Sequence, residues 1–66
     1  MKYPHIISRQ PHLTRKGEYV VIGVETDDEN AYFTRRSNED GSAQFWGHYR
    51  LTRLEAYADL TERLST

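Results

Sequence analysis

Three segments of the 66-residue chain place aromatic, basic and hydroxyl side chains at alternate positions: Tyr19 in the first, Tyr32, Thr34 and Arg36 in the second, Trp46, His48 and Arg50 in the third. If the three segments are neighbouring strands in one phase, these residues share a face. Aromatic rings interleaved with bases are what stacking on nucleobases and pairing with phosphates require. The same residue types anchor protein contacts, because Trp, Tyr and Arg bring large contact area at little entropic cost. They also stabilise a sheet through cross-strand pairs that bind nothing.

Two acidic groups flank these segments, Asp27-Asp28-Glu29 and Glu39-Asp40. As solvated hairpin tips they keep a small domain soluble; as a binding feature, grouped carboxylates occupy a partner's basic groove in place of phosphates. A calcium loop would need a repeated series of acids closed by a glutamate, which is missing. The opposite charge gathers at the start of the chain. Residues 1–17 carry Lys2, Arg9, Arg15 and Lys16 and no acid, whereas residues 18–66 carry five bases and all ten acids. This reads as a basic arm on an acidic body. A net charge of −1 argues against indiscriminate binding to nucleic acid.

Catalytic chemistry finds little support. His5, His12 and His48 show no metal-ligand spacing, and without cysteine a zinc site would need distant carboxylates. Ser37, His48 and Asp40 contain the group types of a hydrolase triad, but nothing sets them on a strained elbow or beside an oxyanion hole. No glycine-rich phosphate loop is present. The expectation is a protein that is not an enzyme and uses no metal or cofactor.

The elements that must hold these residues are few. One domain of this size buries only about 60% of its unfolded surface, and with no cysteine no disulfide reinforces it. No apolar run approaches a membrane span and no signal-peptide pattern opens the chain, so a cytoplasmic protein is expected. Residues 18–25, rich in β-branched types, predict a strand, with Val20, Ile22 and Val24 on one face and Tyr19 and Val21 on the other. Residues 31–36 and 43–50 predict two more, the second turn carrying Gly41. Thr52-Arg53-Leu54-Glu55 reads as a helix N-cap with a reciprocal capping box. Beyond it, Leu54, Tyr57, Ala58, Thr61 and Leu64 form the expected buried stripe, with Leu60 on its flank. Glu55, Asp59, Glu62 and Arg63 lie opposite it.

The predicted fold is therefore α+β: a three-stranded antiparallel meander packed on one C-terminal helix, residues 18–66 forming a β-β-β-α domain. Residues 1–17 make a basic arm or edge segment, with room for one extra strand at Ile6-Ile7. The preferred phase puts Phe33, Phe45 and Tyr49 under the helix with Val20, Ile22 and Val24, and lets the helix approach Gly47. Sliding the third strand by one would bury Trp46 and His48 instead.

This element order resembles the arm-type DNA-binding domains of phage and transposon integrases, and the dsRNA-binding and AP2-like modules. The run Phe45-Trp46-Gly47-His48-Tyr49, with Ala58-Asp59 and Arg63 after it, resembles an aromatic box in short proteins of phages and mobile elements. Small size and a mixed charged surface are similar to phage accessory proteins that disable host machinery, anti-CRISPR proteins among them. That kinship implies stoichiometric binding to a host protein or nucleoprotein complex; on the reading of the residues, Tyr19, Tyr32, Arg36, Trp46, His48 and Arg50 would supply the anchors and the acidic turns the complementarity to a basic groove. The alternative it leaves open is a DNA- or RNA-binding module using the same face and the basic arm.

Overall fold

The computed structural model describes residues 2–66; Met1, the first residue of the segment 1–17, lies outside them. Strands β1 (His5–Pro11), β2 (Glu18–Val24), β3 (Tyr32–Asn38) and β4 (Gln44–Leu51) precede helix α1 (Arg53–Arg63). The strands form one antiparallel sheet in the order β1-β2-β3-β4. The expected meander is thus extended by a full edge strand, bracketed by Pro4 and Pro11, neither of which can donate to a ladder. Ile7 is an extra residue in β1, because the pairing passes from Ile6–Gly23 directly to Ser8–Ile22.

β2 and β3 pair residue for residue over their whole length, and this register decides the two faces. Val20, Ile22 and Val24 face the helix together with their partners Arg36, Thr34 and Tyr32. Val20 and Ile22 pack there against Ala56 and Leu60, with Tyr32, Leu51 and Leu64 around them. Phe33 pairs with Gly23 and belongs to the opposite face, away from the helix, contrary to the predicted core. It is nevertheless only 1% exposed. Tyr49 lies against it with ring centroids 5.8 Å apart, and the Arg35 guanidinium sits 4.3 Å from its centroid.

β4 obeys neither predicted phase. Its partners on β3 run Arg36–Phe45, Thr34–His48 and Tyr32–Leu51, so helix-side positions recur every third residue. Each interval holds one extra residue, a β-bulge. Trp46 and Arg50, one in each bulge, adopt positive φ of 55° and 59°, a conformation costly for non-glycine side chains. Gly47 receives the ring of Tyr49, which a Cβ would overlap, rather than the helix.

α1 begins one residue after β4, and its cap is as predicted. Thr52 Oγ1 accepts from the Glu55 amide at 3.2 Å, and Glu55 Oε1 accepts from the Thr52 amide at 2.9 Å. The backbone amide of Thr52 holds the Glu55 carboxyl below its ordinary range. The buried stripe differs from the expectation: it is Ala56, Leu60 and Arg63, while Leu54 is 82% exposed. Two stripes are available in this helix. The short joint at Thr52 leaves α1 no freedom to roll, and the partners waiting on β3 and β4 select the second stripe.

Candidate functional site

Asp59 projects from α1 onto the sheet, and one of its oxygens meets two hydrogen-bonding side chains and one guanidinium. Thr34 from β3 donates its hydroxyl to Oδ2, His48 Nδ1 from β4 lies 2.9 Å from it, and Arg63 Nε, one turn along the helix, lies 3.2 Å away. Burial pushes the Asp59 carboxyl up, but the hydrogen bonds from Thr34 and His48 and the charges of His48 and Arg63 outweigh it and hold the group below its ordinary value of 3.8. Burial lowers the Arg63 pKa, opposed by Asp59 and aided by the nearby charge of Arg36. Arg36 itself faces Glu18, Nε to Oε1, at 3.6 Å.

Arg36, His48, Asp59 and Arg63 border a cavity of about 330 Å³ between β4 and α1, with Trp46 and Glu62 at its edge. The Asp59 carboxylate orients the His48 ring through Nδ1. Among the described residues no hydroxyl is hydrogen-bonded to the other ring nitrogen. What the arrangement does achieve is to pin the helix to β3 and β4 at one azimuth. Among the described residues no group of three or more His, Asp or Glu is placed to hold a metal ion, and none of their helices is long and apolar enough to cross a membrane.

The sequence-predicted sheet face is divided. Tyr19 lies on the open face, away from the helix, whereas Tyr32, Thr34, Arg36 and His48 lie on the helix side. The cause is the β2–β3 register together with the bulges in β4, which break the assumed alternation. Trp46, re-aimed by its bulge, stands 72% exposed at the rim of the cavity, and Arg50 is exposed in the second bulge. The open face is built instead from Arg9, Tyr19, Val21, Phe33, Arg35 and Tyr49. Arg9 lies 3.9 Å over the Tyr19 ring and donates to the carbonyls of Asn38 and Glu39.

The four cations of the basic segment are dispersed. Arg9 belongs to β1, and Arg15 reaches Glu18 at 3.8 Å and the Thr66 carbonyl at 3.0 Å. Lys2 and Lys16 are exposed. His12 is buried and structural: its Nδ1 accepts from the amides of Thr14 and Arg15 at 3.1 and 2.9 Å. The acidic groups occupy opposite ends of the sheet. Asp27, Asp28 and Glu29 are exposed in the β2–β3 turn, and Glu39 and Asp40 in the β3–β4 turn. The Ser42 amide, donating to Asp40 Oδ1 at 2.9 Å, holds that carboxyl below its ordinary range.

Sequence reasoning missed Asp59, Arg35 and Phe33. The physical signal for the first was its four-residue spacing to Arg63, which reads equally as a surface pair. Comparison of the chain with protein-family models, curated proteins and solved structures finds no match in any of the three.

Proposed function

We propose that this chain is a small non-enzymatic binding protein that occludes a macromolecular partner by stoichiometric association, with β4 at the centre of the contact. The observation that carries this reading is Trp46: a large aromatic side chain, 72% exposed, held at φ 55° by a bulge on an edge strand. Bulges re-aim side chains, and backbone strain collects where function requires a fixed geometry. Phe45 on the helix side and Tyr49 on the open face of the same strand are also exposed, so the β4 edge offers aromatic contact area of the kind that dominates protein contacts. The partner in this reading is a host protein or nucleoprotein complex, such as a CRISPR–Cas assembly, whose basic groove the acidic turns complement.

The test is kinetic, on the partner captured from the source cells and purified. Trp46→Gly removes the anchor while relieving the positive φ, so the fold is retained. It should speed dissociation at least tenfold and leave the association rate nearly unchanged. Reversing the charges of Asp27, Asp28 and Glu29 should slow association and flatten its salt dependence. An unchanged dissociation rate in folded Trp46→Gly would remove β4 from the interface.

A second reading, a DNA- or RNA-binding module, draws on the open face, where Arg9, Arg35, Tyr19 and Tyr49 stand with no carboxylate among the paired positions. Bases would stack on the rings and phosphates meet the guanidinium groups. No detectable affinity for duplex or single-stranded DNA or RNA at about 50 mM salt would dispose of it.

A further inference from the structure

A recess of about 330 Å³ lies where the N-terminal end of β1 meets the β2–β3 turn. Its walls are the rings of Tyr3 and Tyr32 and the aliphatic side chains of Ile7 and Val24, and its rim carries Asp27, Asp28 and Glu29. Tyr3 and Ile7 are each 38% exposed, so the apolar wall is open to solvent. Ile7 reaches it because the β1 bulge inserts it as the residue without a β2 partner.

Among the described residues no cation pairs with the charge of Asp27, Asp28 and Glu29 at this rim. Asp28 Oδ1 accepts from the Asn30 amide at 2.8 Å, which fixes the turn without neutralising it. Arg53 borders an adjoining recess with Glu29 but is directed over the Tyr57 ring, 5.9 Å away. Among the described residues, His5 is the one lining group able to carry positive charge.

A pocket with an apolar wall, two tyrosine rings and three carboxylates at its mouth has one complementary chemistry. It suits a cation borne on an aliphatic stem: the stem covers the apolar wall, the cation meets the ring faces, and the carboxylates attract it from a distance and pair with it on arrival. We infer that this recess receives a lysine or arginine side chain of the protein partner. The inference rests on the protein-partner reading above, and it gives the β2–β3 turn a defined ligand in place of general attraction to a basic groove.

The test uses the intact chain and a small probe, so it is independent of whether Trp46 is an anchor. N-acetylarginine amide is titrated at about pH 8, where an ordinary histidine is neutral, and followed by amide and side-chain NMR shifts. N-acetylcitrulline amide, of the same shape without the charge, is the control. Saturable shifts confined to residues 3, 7 and 24–32, absent with citrulline and at least tenfold weaker in Asp27→Asn/Glu29→Gln, are expected. Tyr3→Ala should weaken the probe with the turn unchanged, which separates the ring contact from simple charge attraction. Equal shifts with arginine and citrulline, or turn shifts that ignore Tyr3→Ala, would overturn the assignment. So would a tenfold gain of probe affinity in Lys2→Ala, because the chain's own Lys2 would then be the occupant. A failure here with the Trp46→Gly kinetics as predicted would leave the β4 interface standing and remove only this pocket.

Discussion

Asp59 illustrates how far a residue's role depends on what is brought to it. On the helix alone it is half of an exposed pair with Arg63, worth a few tenths of a kcal/mol. In the fold its Oδ2 meets Thr34, His48 and Arg63 together, and Arg63 is itself buried. Removing the carboxylate would leave that guanidinium uncompensated, so Asp59→Ala should cost about 3 kcal/mol. The pH dependence has a definite sign. The carboxyl is held below 3.8 in the folded protein, so its contribution is present above the unfolded value and is lost as pH falls through the folded one. Urea melts between about pH 5 and pH 2 should show a shallower acid loss of stability in Asp59→Asn than in the wild type. Parallel acid limbs would mean that the carboxylate is not stabilised by these donors.

α1 and β4 are coupled through a single joint residue. Thr52 caps the helix with both bonds of the capping box in place, so Thr52→Ala should cost about 0.5–2 kcal/mol. Leu60, packed on Val20 and Ile22, should cost roughly 2–5 kcal/mol as Leu60→Ala. Leu54→Ala, at a position 82% exposed, should stay within about 0.5 kcal/mol. Urea denaturation of the three variants orders them. A Leu54→Ala loss matching that of Leu60→Ala would show that the other stripe is the buried one. The cap was legible because it is a local code of two side chains and two amides. The azimuth was not, because a helix carrying Leu54-Tyr57-Ala58-Thr61 and Ala56-Leu60-Leu64 offers two apolar stripes, and only the sheet chooses between them.

The molecule is one sheet and one helix thick, 16 Å across its shortest extent. Its open face must therefore protect itself. Tyr49 and Arg35 over Phe33, and Arg9 over Tyr19, are side chains of the sheet covering their own neighbours. β1 matters to this closure as well as to the ladder, since it pairs along β2 and supplies Arg9. Deleting residues 1–11 should therefore abolish cooperative unfolding, as expected when a small domain with a narrow stability margin loses an edge strand. A sharp thermal transition in the truncated chain, followed by circular dichroism, would mean that the segment is an appendage, as its charge first suggested.

What the sequence by itself determined was whatever depends on neighbours along the chain. The strand content of β2, β3 and β4, the turns between them and the capped start of α1 all follow from β-branched runs, turn formers and the Thr52–Glu55 pair. The face shared by Val20, Ile22 and Val24 followed from alternation, but which side chains of β3, β4 and α1 join it was decided only in three dimensions. One residue-for-residue register moved Phe33 out of the expected core and Thr34 into it. Two single-residue bulges turned β4 from an alternation of two into a spacing of three, moving His48 to the helix side, where it stays exposed beside Asp59, and Tyr49 to the open face against Phe33. Side chains alternate with a period of two in an unbroken strand, so each inserted residue reverses every assignment beyond it. That reversal is a property of the pairing, and no single strand encodes it.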